Sequence, residues 1–93
     1  PTSSSLLSNY PNPFNASTTI RYSMTVDGPV TLTLFGVTGR RIRDLVQGVH
    51  LAGNHVAHWD GRDLDGTSVA SGVYLVRLTT ANVQQTHRLT LLK

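Results

Sequence analysis

Val30-Thr31-Leu32-Thr33-Leu34 alternates apolar and hydroxyl side chains without a break. A period of two puts Val30, Leu32 and Leu34 on one face and both threonines on the other, the pattern of a strand with one side in a core. Upstream, the same period sets Ile20, Tyr22 and Met24 on one face; downstream it does so for Tyr74, Val76 and Leu78, and it places Val56 with neighbouring Trp59 near the end of another strand. A final strand is expected from about Val83 to Leu92, with Leu89 and Leu91 inward. No stretch of ten or more residues has the i, i+3, i+4, i+7 apolar spacing of a helix.

Turn signals separate these runs at short intervals: Pro11-Asn12-Pro13, Asp27-Gly28-Pro29, Thr38-Gly39, Ala52-Gly53-Asn54, Asp65-Gly66 and Ala81-Asn82. Gly28, Gly39 and Gly66 are expected at positive φ, where a side chain would strain the turn. Arg41-Ile42-Arg43-Asp44-Leu45-Val46 breaks the alternation, since Ile42 and Leu45 cannot share a face of a regular strand. A bulge, or a strand ending near Asp44, would reconcile them. The count of candidate strands is seven, and the fold class that follows is all-β: an Ig-like antiparallel β-sandwich of about seven strands with no disulfide. Trp59 takes the place of the cystine as the central packing mass.

The 93 residues suffice for one domain and not two, since a core of this size buries roughly 60–70% of the unfolded surface. With no cysteine, neither a disulfide framework nor a thiolate site is available, so the core must hold the fold by itself. Eight Arg and Lys against five Asp give a formal charge of +3, a modest excess that is weak evidence for any polyanion, so no nucleic-acid partner is expected. Apolar runs fall well short of the roughly 20 residues of a membrane helix, so no membrane insertion is expected. Pro1-Thr2-Ser3-Ser4-Ser5 has linker composition, which suggests a module joined to an upstream partner: residues 1–5 as linker, 6–93 as domain.

Candidate chemistry is sparse. Asp60, Asp63 and Asp65 fall within six residues and offer hard oxygen ligands to calcium, although the spacing is not that of an EF-hand and no glutamate follows. Against that stands the expectation that these aspartates make Asx turns after Trp59. His55 and His58 lie three apart, on opposite faces of a strand, and cannot share a metal. His50 and His87 read as isolated, so exposed strand histidines are expected. Ser71 lacks any nominated base, and the clustered aspartates are too close to diverge in pKa. An enzyme is not expected. Arg40, Arg41 and Arg43 have no interleaved aromatics and read as a solvated hairpin edge.

One set of motifs remains: Asn9-Tyr10-Pro11-Asn12-Pro13-Phe14-Asn15, Gly39-Arg40, Trp59-Asp60-Gly61, Gly72-Val73-Tyr74, and Leu89-Thr90-Leu91-Leu92-Lys93. In that order they resemble the C-terminal sorting domain of proteins exported by the type IX (Por) secretion system, over roughly Leu6 to Lys93. Ala16 stands where that family usually has proline, and Thr86-His87-Arg88 replaces a more lysine-rich stretch. The resemblance implies an Ig-like domain read by the outer-membrane translocon after passage through the periplasm. A sortase-like peptidase would then remove it, leaving an upstream cargo domain outside the cell or on its surface. Its sorting candidates here are Asn9, Pro11, Asn12, Pro13, Phe14, Gly39, Trp59, Gly72, Tyr74, Leu89, Leu91 and Lys93, with no cofactor beyond the calcium just weighed. A receptor could read the last hairpin, Gly72 to Lys93, by shape and by adding a strand to it. Ig-like domains of flagellar hook-capping proteins also show Trp-Asp-Gly followed by Gly-Val-Tyr, and there the module is structural. A carbohydrate-binding sandwich is a further alternative, distinguished by several exposed aromatics on one face.

Overall fold

The computed structural model describes residues 7–81 and 83–93; the linker expected over 1–5, Leu6, and Asn82 of the expected Ala81-Asn82 turn lie outside the described residues. Among the described residues the strands are β1 (Ser8–Tyr10), β2 (Thr18–Met24), β3 (Gly28–Gly36), β4 (Arg41–His50), β5 (Gly53–Trp59), β6 (Gly72–Thr80) and β7 (Gln84–Leu91), with no helix. They form two antiparallel sheets, β1-β2-β5 and β4-β3-β6-β7. The all-β sandwich is therefore as expected.

The alternating residues supply the core. Ile20, Tyr22 and Met24 from β2 face Val30, Leu32 and Leu34 from β3, Tyr74, Val76 and Leu78 from β6, and Leu89 and Leu91 from β7, all buried. Phe14 and Trp59 complete the layer between the sheets. Each fully buried aliphatic chain of this kind contributes roughly 1.5–3 kcal/mol over exposure.

Of the two readings of 41–46 the bulge is the one that holds: β4 does not end near Asp44 but runs on to His50 and carries two bulges. The register passes from Leu32↔Val46 to Thr33↔Asp44 and from Leu34↔Arg43 to Phe35↔Arg41, leaving Leu45 and Ile42 as the extra residues. Each insertion flips the side-chain phase, so both Ile42 and Leu45 pack against the core. Val56 does not share the inner face with Trp59: three residues apart on a regular strand, they point opposite ways, and Val56 is 55% exposed. Gly39 (φ 91°) and Gly66 (φ 83°) take the left-handed turn conformation, whereas Gly28 has no positive φ and begins β3 opposite His50. Nor is His50 isolated. Its ring lies 4.8 Å from that of His55, and Tyr22 stacks on His55 at 5.4 Å.

Candidate functional site

The opening segment is built onto the closing strand. After β1, the chain passes through Pro11 and Pro13 and lays Phe14 beside Leu91 as a parallel bridge. The Phe14 amide donates to the Thr90 carbonyl at 2.9 Å, and the Leu92 amide donates to the Phe14 carbonyl at 2.8 Å. Side-chain amides extend the contact on both sides. Asn12 Oδ1 accepts from the Thr90 amide at 3.1 Å, Asn12 Nδ2 donates to the Arg88 carbonyl at 3.4 Å, and Asn15 Nδ2 donates to the Leu92 carbonyl at 3.2 Å. Asparagine suits these positions because one short side chain both donates and accepts, pairing backbone groups where a proline-bearing segment has no amide to offer.

Asn9 fixes the start of this segment. Its Nδ2 donates to the Pro11 carbonyl (3.3 Å) and to Thr18 Oγ1 (3.1 Å), which leaves Oδ1 to accept from His87 Nε2 at 2.7 Å on β7. Beneath it the aromatic side chains form a continuous file. Phe14 lies 5.5 Å from Trp59, and Trp59 lies 5.3 Å from Tyr74 in an edge-on arrangement. The polar tips of the last two are satisfied: Trp59 Nε1 donates to the Arg62 carbonyl at 2.9 Å, and the Tyr74 hydroxyl donates to the Ala70 carbonyl at 2.5 Å. Lys93 is held by the loop before β6, its amide donating to Ser71 Oγ at 3.0 Å and its Nζ to Ser68 Oγ at 2.6 Å.

Asn9, Asn12, Phe14, Trp59, Gly72, Tyr74, Leu89, Leu91 and Lys93 thus belong to one connected region, with Gly72 opposite Leu91 in the β6–β7 ladder. Pro11 and Pro13 are exposed on its rim, both after cis peptide bonds. Gly39 serves only the β3–β4 turn, donating to the Gly36 carbonyl at 3.0 Å. The expected strand addition to β7 meets an obstacle here, since residues 12–15 already occupy its outer side from Arg88 to Leu92. Thr18 and Ser68 were not singled out from the sequence, Ser71 was weighed only as a nucleophile, and His87, read as isolated, in fact meets Asn9; no local signal marks these partners, since His87 and Asn9 are 78 positions apart.

Asp60 and Asp63 make turns. Asp60 Oδ1 accepts from the Arg62 amide at 3.2 Å, and Asp63 Oδ1 accepts from the Asp65 and Thr67 amides, both at 3.0 Å. Among the described residues no three His or Asp side chains gather in a way that could hold a metal ion, so Asp60, Asp63 and Asp65 do not converge. Through the Arg62 carbonyl, this loop instead supplies the indole's partner.

His87 makes the region sensitive to acid. Burial lowers its pKa from the ordinary value near 6.5, because the desolvated ring resists a charge. The unfolded chain takes up that proton first, so the contribution to stability is complete above about pH 6.5 and is lost as the pH falls through that value toward the folded-state pKa. Nε2–H donates to Asn9 in either protonation state, so the loss comes from the buried charge and not from a broken bond. Denaturant midpoints should fall as the pH is lowered from neutral through about 6.5. His87→Gln, which keeps a donor and cannot titrate, should show a shallower fall; an identical fall would assign the sensitivity to other groups.

The sequence pattern of the family described as FlgD Ig-like domain matches residues 11–84, most of the chain. The chain belongs to that family. The matched stretch opens at Pro11 and runs through β6 to the first residue of β7, so the FlgD Ig-like domain pattern takes in β2 to β6 and leaves β1 and most of β7 outside it. Curated relatives include the basal-body rod modification proteins FlgD of Salmonella typhimurium and Salmonella typhi, each 42% identical over 53 residues. That alignment covers 57% of this chain and 23% of theirs, so the chain spans less than a quarter of the relatives it matches. Among solved structures, dimeric latent PorU from Porphyromonas gingivalis superposes with a TM-score of 0.76 at 19% identity, over 95% of this chain and 9% of that one. PorZ from the same organism, an essential bacterial surface component of the type IX secretion system, superposes with a TM-score of 0.64 at 26% identity, over 94% of this chain and 11% of that one. The DNA glycosylase AlkC of Pseudomonas fluorescens shares the fold alone: TM-score 0.58, 14% identity, 97% of this chain and 30% of that one.

Proposed function

We propose that this FlgD Ig-like domain is a sorting module, a folded label that directs an upstream cargo across the outer membrane by the type IX system. The observation that carries this reading is the clamp of Asn12, Phe14 and Asn15 on Arg88–Leu92, which joins the opening and closing motifs into one surface. Likeness in fold to PorZ and PorU supports it. The module works without catalysis. What the translocon detects is a contour, because the motif side chains are largely spent on holding the two ends together. Passage through the periplasm, removal by a sortase-like peptidase near the leader, and delivery of cargo to the surface follow in this reading.

Family membership and the 42% identical FlgD relatives favour a second reading, a structural Ig-like module of an extracellular assembly. A carbohydrate-binding role has less to draw on, since Tyr10, 76% exposed, is the one strongly exposed aromatic side chain among the described residues.

Residues 1–93 placed behind a signal peptide and a reporter in a type IX host should carry the reporter to the cell surface. Loss of the last ten residues, which removes β7 and the partner of the clamp, should leave it in the periplasm, as should Tyr74→Ala through loss of the fold. Periplasmic retention of the intact fusion would overturn the sorting reading and leave the structural one.

A further inference from the structure

Among the described residues four strands stand at the edges of the two sheets, β1 and β5 in one and β4 and β7 in the other. Three of them are short, covered or irregular. β1 has three residues, β7 carries the 12–15 segment, and β4 is bulged twice and bears Arg41, Arg43 and Asp44. These are the devices that keep sheet edges from pairing with other chains. β5 has none of them. Its register with β2 runs unbroken from Thr18↔Trp59 to Met24↔Gly53, and Gly53-Asn54-His55-Val56-Ala57-His58-Trp59 contains no Asp, Glu, Lys, Arg or Pro. Asn54, Val56 and His58 are exposed along it.

We propose that β5 is a self-association edge, on which a second copy of this chain pairs antiparallel about a two-fold axis through Val56. The pairing joins two three-stranded sheets into one of six strands. Self-pairing is favoured by the pattern of the strand itself. With Val56 at the midpoint, the two valines meet, Asn54 lies opposite His58, where amide and imidazole can hydrogen-bond, and Ala57 lies opposite His55. Charge permits it. In a chain of formal charge +3, the nearest cation on this face is Arg21, the register partner of Val56 on β2. The two Arg21 side chains would stand three strand spacings apart, about 14 Å, which exceeds the screening length of about 8–10 Å at ordinary salt. An interface of one strand pair is small, so association belongs in the micromolar to millimolar range.

Sedimentation equilibrium should therefore show an apparent mass that rises from the 10.1 kDa of one chain toward twice that value across this concentration range. Hydrogen exchange at the β5 amides should slow in parallel. Val56→Lys, which sets two like charges against each other at the axis, should hold the mass at one chain. Val49→Lys, on a β4 position that is 75% exposed, should associate like the parent. A mass fixed at one chain throughout, or a Val56→Lys variant that associates as the parent does, would overturn the proposal.

Discussion

Trp59→Ala should cost the domain a large share of its stability, with a denaturant midpoint far below the parent's. Trp59 has no exposed surface, sits between Phe14 and Tyr74, and binds the Arg62 carbonyl through its indole nitrogen. Removing a buried tryptophan costs about 3–5 kcal/mol through lost transfer energy and the cavity left behind. The stranded Arg62 carbonyl adds to that loss. A chain of this length has roughly 5–14 kcal/mol in total, and with no disulfide nothing else restrains the unfolded state. Denaturant titration followed by far-ultraviolet circular dichroism is the appropriate measurement, since the substitution removes the only tryptophan fluorophore. Trp59→Phe, which keeps a ring but not the N–H, should lose markedly less. Equal losses would mean that the ring volume is not what holds the two sheets together.

Phe14→Ala should release the opening segment from β7 while the rest of the sandwich persists at reduced stability. The side chain is 1% exposed, and burial of this ring is the main apolar attachment of a segment whose other ties are exposed amide hydrogen bonds. Such bonds are worth only about 0.5–1.5 kcal/mol each, against about 3–5 kcal/mol for the buried ring. Once the ring is gone, the backbone bonds between Phe14 and Thr90 and Leu92 lose their support, and these amides should exchange at local-opening rates. Asn12→Ala should have the milder effect, with partial loss of protection at Thr90. In the export fusion, Phe14→Ala should reduce surface delivery even where circular dichroism reports a folded sandwich. Unchanged exchange at Thr90 and Leu92 would show that the segment is held by something other than Phe14.

The layout of the core was legible because period-two alternation is a local property. Val30, Leu32 and Leu34, or Tyr74, Val76 and Leu78, declare their face without reference to any partner. Reading reached its limit where the outcome depended on distant pairing. The break in alternation over 41–46 allowed either a bulge or an early end, and the two bulges of β4 appear only when its register against β3 is laid out. The motif residues were likewise visible as words in the chain, yet their chemistry was not. The sequence contains Asn12 and Thr90, but not the fact that the one accepts from the other.

From its residues alone this chain is committed to strands, to one cysteine-free core, and to a turn loop of aspartates after Trp59, because side-chain periodicity and turn chemistry act over a few neighbours. Tertiary structure decided that the proline-rich opening covers the edge of the last strand, that His87 meets Asn9, and that β5 is left regular and uncharged at a sheet margin. Those outcomes rest on contacts between residues as much as 78 positions apart, and the backbone groups satisfied there are the same in every residue, so no side-chain pattern records which of them will meet.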